Sequence, residues 1–181
     1  GFLRYLALRF GQNTNELMVN IVTAYEDLDA LVPFVQMLVD KFPEVTSVVN
    51  NINTRKADVS FGEREILLHG KPIIIERLKD LSFQISANSF FQTNSLMAEK
   101  LFDVILESAE LKGDEIVYDL YCGTGSISLF LAKRAKFVYG FDIIVSSIEN
   151  AEQNAMVNNI QNIDFNVANL DSFFYTNRSN K

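Results

Sequence analysis

The sequence predicts an α/β fold in two parts: a smaller α+β region over residues 1–85, then the opening of a parallel sheet over residues 86–181. Three observations predict it. Residues 2–85 hold several short apolar runs but only one long helical pattern. Residues 115–167 alternate apolar strands with helices across short links, the mark of parallel pairing with right-handed crossovers. Between the first of those strands and its helix lies a glycine-rich turn, Gly123-Thr124-Gly125.

In the first part, residues 2–10 and 16–24 flank Gly11-Gln12-Asn13-Thr14-Asn15. Glycine and asparagine tolerate positive φ, so this reads as a hairpin loop. Leu28, Leu31, Phe34, Val35, Leu38, Val39 and Phe42 recur at three- and four-residue steps, which predicts an amphipathic helix with Pro33 in its first turn and Pro43 ending it. Strands are expected at 45–52, 65–69, 73–78 and 81–85, with a polar loop over 53–63 and a mostly antiparallel sheet. His69 stands alone by a turn and reads as solvated. Arg55, Lys56, Arg64, Lys71 and Arg77 form either a local basic face or a scattered solvated surface.

In the second part, Asn94 can cap a helix whose stripe is Ala98, Leu101, Phe102, Ile105 and Ala109, and Gly113 lies just past its end. A strand follows at 115–121, then a helix at 127–133, a strand at 137–143, a helix at 146–158 and a strand at 163–167. Phe90 and Phe91 are expected in the core.

The 181 residues are 48% apolar and carry a formal net charge of −7, which excludes wholesale disorder and argues against this piece being the main clamp on a nucleic acid. No apolar run is long enough to span a bilayer, so no membrane partner is expected. A single cysteine, Cys122, and a single histidine exclude a disulfide framework, a four-cysteine zinc site and an iron–sulfur cluster within the chain, and no metal ligands are assigned. One cysteine and no leader pattern point to the cytoplasm. The start at Gly1 inside a strand and the polar stretch over 175–181 suggest an internal fragment of a longer protein.

The candidate site is Asp119-Leu120-Tyr121-Cys122-Gly123-Thr124-Gly125-Ser126. Glycines let a ligand approach the backbone, and the helix start offers free N–H groups. Asp142 closes the next strand, where a carboxylate can hold both hydroxyls of a ribose. Ser128 replaces the third glycine of the dinucleotide fingerprint. Asp119 would repel a pyrophosphate but suits a cationic ligand such as the sulfonium and amino groups of S-adenosylmethionine. Together Asp119 and Asp142 favour a methyltransferase over a dehydrogenase. Cys122 reads as a small packed residue, because no base or cation is near it in sequence.

At these residues the chain resembles the RNA uracil-5-methyltransferases, which form 5-methyluridine in ribosomal and transfer RNA. The resemblance rests on Ser86-Ala87-Asn88-Ser89-Phe90-Phe91-Gln92-Thr93-Asn94, on the turn from Asp119 to Gly125, on Phe141-Asp142-Ile143 with the helix that follows, and on Arg4-Tyr5-Leu6 and Glu16-Leu17-Met18-Val19-Asn20. It covers essentially the whole chain. It implies a central α+β domain over 1–85, then the first half of a Rossmann-like class I methyltransferase sheet over 86–181. It also implies S-adenosyl-L-methionine as cofactor, held by Gln92, Asp119, Tyr121, Gly123, Gly125, Ser126 and Asp142. Ala168-Asn169 stands where the family usually has Gly-Asp, which gives Asn169 the place near the adenine.

The family's chemistry uses a cysteine thiolate and a glutamate base that lie further downstream. By that resemblance the longer protein methylates uracil carbon 5 in RNA, with 23S ribosomal RNA as the expected target, and this chain alone carries no catalytic residue and no turnover. An NAD-type oxidoreductase half and a non-catalytic RNA- or protein-binding module are the alternatives. Because the strand over 115–121 would be central in the complete sheet, its open edge is expected to form homodimers.

Overall fold

The computed structural model describes residues 1–55 and 62–169. Lys56, part of the 53–63 loop and the stretch over 175–181 lie outside the described residues. The chain divides into two compact units: Gly1–Arg77 with Gln84–Asn88, and Leu78–Phe83 with the chain from Ser89 onward.

The first unit contains β1 (Leu3–Phe10), β2 (Leu17–Thr23), α1 (Leu28–Lys41), β3 (Val45–Ile52) and β4 (Arg64–Gly70), with the strands ordered β1-β2-β3-β4. The β1–β2 and β3–β4 pairings are antiparallel. The β2–β3 pairing is parallel, because α1 carries the chain back across the sheet between them. The predicted hairpin loop forms: the Gly11 amide donates to the Glu16 carbonyl at 2.8 Å, and Asn15 takes φ 57°. Glu76, 1% exposed, fastens that loop by accepting from the Gln12 and Asn13 amides at 2.7 and 3.0 Å. Leu31 and Val35 of α1 pack on Val19, Ile21, Val45 and Val48, each fully buried aliphatic stabilising the unit by about 1.5–3 kcal/mol.

Two expectations change here. The Asp27 carboxylate, not a residue nearer Pro33, caps α1 by accepting from the Ala30 amide at 3.1 Å. Pro33 therefore lies in the second turn, on the exposed side, where its missing N–H costs one helical hydrogen bond. His69 is exposed near the end of strand β4, as expected. Arg55 and Arg64 form ion pairs with Glu63 and Glu26, so they are not an unopposed basic face.

The hairpin β5 (Ile73–Leu78) and β6 (Leu81–Ser86) forms its own two-stranded sheet and turns at Lys79, φ 51°.

The second unit contains α2 (Ser95–Ser108), β7 (Ile116–Leu120), α3 (Ser126–Ala132), β8 (Phe137–Asp142), α4 (Val145–Val157) and β9 (Ile163–Val167). All strand pairings in its β7-β8-β9 sheet are parallel. Asn94 caps α2 as expected, accepting from the Met97 amide at 3.0 Å. Phe102 and Phe130 pack at 5.1 Å between ring centres, and Phe83 meets Phe91 at 5.6 Å. Phe91 is thus core, but Phe90 is not: it is 69% exposed. The pair lies in the irregular segment between β6 and α2, where Phe91 turns in against Phe83 and Phe90 turns out. On the other side of the sheet, Tyr118 stacks on Tyr139 at 5.5 Å, and Ile116, Tyr118 and Leu120 are exposed. Among the described residues no helix is long and apolar enough to cross a membrane.

Candidate cofactor site

The site is built where β7 and β8 end side by side. Parallel pairing sets Asp119 beside Gly140 and Leu120 beside Phe141. The chain then reverses sharply. Tyr121 takes φ 66°, Gly123 φ 55° and Gly125 φ 77°. Two of these three positions are glycine, which enters this region at no steric cost. The third is a bulky side chain held there against its preference, the kind of strain that gathers at binding turns. Tyr121 is also 66% exposed. The turn is closed by the Cys122 amide donating to the Phe141 carbonyl and the Gly125 amide donating to the Cys122 carbonyl, both at 2.9 Å. Gly125 then stands at the N-cap of α3, and Ser126 is its first residue.

Asp142 holds this turn. Its Oδ2 accepts from the Gly123 amide at 3.0 Å, and its Oδ1 accepts from the Ile144 amide at 2.9 Å. The residue is 8% exposed. Each carboxylate oxygen keeps a further lone pair for a ligand hydroxyl. Directly beyond it, Ile143 and Ile144 are 57% and 54% exposed, an apolar shelf next to the acid. The Ala168 amide donates to the Asp142 carbonyl at 2.9 Å, which brings the exposed Asn169 to the same strand ends.

The two site glycines do different things. A Cβ on Gly125 would lie 2.7 Å from the Phe165 ring and 3.0 Å from Ala151. Gly125 therefore permits close packing of helix, turn and β9. A Cβ on Gly123 would meet nothing within 4 Å. The backbone at Gly123 faces open space, a cradle into which a ligand fits and which a side chain would fill.

Asp119 lies behind the turn. The Ser128 hydroxyl donates to its Oδ2 at 2.5 Å. Burial pushes its carboxyl above the usual carboxylate range; the Ser128 hydrogen bonds oppose that rise and the neighbouring Asp142 charge adds to it. A carboxylate kept in this setting gains most from a cationic partner. Cys122 is 7% exposed, and burial, then the charges of Asp119 and Asp142, push its thiol up to about 12. A thiol so shifted is protonated at neutral pH and is not a nucleophile.

The structure thus gathers Asp119, Tyr121, Gly123, Gly125, Ser126, Asp142 and Asn169 around the ends of the sheet. Gln92 is exposed, in the segment between β6 and α2. That segment is fastened by the Asn150 amide of α4, which donates to the Ser89 hydroxyl at 3.1 Å. Sequence reasoning missed four contributors. Ser128 counted only as a lost glycine. Asn150 and Asn154 carried no role of their own within the expected helix over 146–158. Ile143 counted only as the end of a strand and Ile144 only as part of the link after it. Among the described residues no cluster of three potential metal ligands occurs.

Comparison with known proteins bears on this arrangement. The model of the tRNA (Uracil-5-)-methyltransferase family matches residues 37–177. An uncharacterized RNA methyltransferase of Bacillus cereus is 43% identical over 171 residues, which is 94% of this chain and 37% of that protein. One from Chlorobaculum tepidum is 42% identical over 174 residues, 96% of this chain and 36% of that protein. Among solved structures, the Pyrococcus abyssi tRNA (uracil-54, C5)-methyltransferase in complex with S-adenosyl-L-homocysteine is 38% identical. It superposes with a TM-score of 0.76 over 93% of this chain and 40% of that one. The chain spans 36–37% of the length of these curated relatives. With the family model matching well over half of its residues, and with this turn at the ends of a parallel sheet, the chain belongs to the tRNA (uracil-5-)-methyltransferase family.

Proposed function

We propose that this chain is the cofactor-turn half of an S-adenosyl-L-methionine-dependent enzyme that methylates uracil carbon 5 in RNA. The observation that carries this reading is the pairing of Asp142 with Gly123: an acid braced by two backbone amides beside a turn with open space above it. The bound S-adenosyl-L-homocysteine of the Pyrococcus abyssi relative supports the cofactor.

The residues present fit that group. Asp142 offers acceptors for the two ribose hydroxyls. Ile143 and Ile144 offer an apolar surface for a base, with Asn169 alongside as an amide partner. Gly123, Gly125 and Ser126 would present backbone to the ligand, the exposed Tyr121 would offer it a ring, and Asp119 would supply negative charge for its cationic end. Gln92, exposed in the segment ahead of α2, would add a side-chain amide. When bound, the cofactor supplies an electrophilic methyl group on sulfur.

The residues of this chain bind and orient; none of them is proposed to attack the uracil. Cys122, with its thiol raised to about 12, does not serve as the nucleophile. The chain alone is therefore inactive, and the two parts over 1–85 and 86–181 belong to a longer cytoplasmic protein whose remaining portion supplies the cysteine and the base.

The test is methylation by a longer protein that contains this segment, using RNA tritiated at uridine carbon 5. The reading predicts tritium released to water in step with methyl incorporation, from 23S ribosomal RNA in preference to transfer RNA. Methyl incorporation without tritium release would place the reaction on another atom. Release from transfer RNA alone would reassign the substrate.

A further inference from the structure

Helix α4 carries asparagines at positions 150 and 154, and Asn158 is its C-cap, so the four-residue spacing runs the three along one face. Each amide reaches a different segment of the second unit. Asn150 donates to the Ser89 hydroxyl at 3.1 Å. Asn154, fully buried, donates to the Thr124 carbonyl inside the glycine-rich turn at 3.1 Å. Asn158 closes a two-way bond with the backbone of Ser82, accepting from its amide at 2.9 Å and donating to its carbonyl at 2.7 Å.

We propose that this asparagine row is a positioning device, in which α4 holds the cofactor turn through Asn154 and the segment bearing Phe90 and Gln92 through Asn150, so that the turn and that segment keep one geometry.

The chemistry suits the task. An amide has a donor and an acceptor, carries no charge beside Asp142 and Asp119, and is short enough to be held rigid by its helix. Leucine or alanine would pack on the same face but leave the Thr124 carbonyl buried and unmet. The segment from Ser89 to Gln92 lies outside any helix or strand, so side-chain ties must set its path. Phe91 supplies one tie by packing on Phe83, and the Asn150–Ser89 bond supplies another. The Asn150 amide donates to Ser89, so it acts through that residue.

This inference rests on the cofactor reading above, and its test separates the two. The variants are Asn150→Ala, Ser89→Ala, the double variant and Asn150→Asp. The first readout needs no ligand: chymotryptic cleavage after the exposed Phe90, located by mass spectrometry, against global melting temperature. The second is affinity for S-adenosyl-L-homocysteine. Asn150→Ala is expected to speed cleavage after Phe90 with little change in melting, and to weaken binding about fivefold, the worth of one lost hydrogen bond. Ser89→Ala should do the same, and the double variant no more than either. Asn150→Asp should restore slow cleavage after Phe90, because the Ser89 hydroxyl can then donate to the carboxylate. Unchanged cleavage in Asn150→Ala, or additive losses in the double variant, would overturn the positioning role. Absence of ligand binding by the unaltered chain would count against the cofactor reading, while the cleavage result would still decide the role of Asn150.

Discussion

The Asp142 carboxylate grips the Gly123 amide at 3.0 Å across 19 residues of sequence, and in doing so makes the end of one strand set the shape of the turn after another. Its second oxygen meets the Ile144 amide at 2.9 Å. Replacing it with alanine leaves two amides unmet. Asp142→Ala should lower stability by about 1 kcal/mol for each hydrogen bond lost, read as a fall in melting temperature. Asp142→Asn, which keeps one acceptor, should lose less stability yet bind cofactor product more weakly than the unaltered chain.

The two site glycines should separate folding from binding. Gly125→Ala drives a methyl group to 2.7 Å from Phe165 and should destabilise the second unit by about 1–3 kcal/mol through overpacking. Gly123→Ala meets no atom within 4 Å, so only its φ of 55° is penalised, by about 1 kcal/mol. Thermal melts and binding titrations on both variants should show Gly123→Ala folded but poor at binding.

Asp119 makes a prediction about pH. Its folded carboxyl holds its proton above the ordinary value of 3.8 because it is buried. The folded state therefore binds more protons than the unfolded state just above that value, and stability falls as pH rises through the window. Asp119→Asn removes the loss. The variant should melt higher than the unaltered chain at neutral pH, with the gap shrinking on acidification. Its affinity for S-adenosylmethionine should drop by about tenfold or more, since the acid's charge is its contribution.

Cys122 should be inert. With its thiol raised to about 12, alkylation by iodoacetamide at pH 8 should be far slower in the folded chain than after unfolding. Cys122→Ala should leave ligand affinity unchanged.

Strand β7 forms an edge of its three-stranded sheet and exposes Ile116, Tyr118 and Leu120. Such an edge pairs readily with another chain. Light scattering should show self-association that grows with concentration, and Tyr118→Lys should suppress it. A monomer at high concentration would contradict this.

Most strands and helices were legible because each has a clear period and a clear stop. Residues 163–167 were placed to the residue, between Asn162 and Ala168. Asn94 announced its helix because asparagine ahead of an apolar stripe is a cap. The position of Pro33 was misjudged because the cap that starts α1, Asp27, lies further upstream than the proline implied. The parallel β2–β3 pairing was hidden since pairing partners are set by tertiary packing, not by local period. At the site, Asp119, Asp142 and the glycines stood out by their types and spacing. Ser128, Asn150 and Asn154 did not, because their roles are bonds across 9, 61 and 30 residues that no local pattern encodes. Phe90 and Phe91 look alike in sequence, and only the packing of Phe83 against Phe91 tells them apart.

The most direct test is calorimetric titration of this chain with S-adenosyl-L-homocysteine, with NAD as comparator and Asp142→Ala as control. The account predicts saturable binding of S-adenosyl-L-homocysteine that is lost in Asp142→Ala, and no binding of NAD. Binding of NAD, or S-adenosyl-L-homocysteine affinity unchanged in Asp142→Ala, would contradict it.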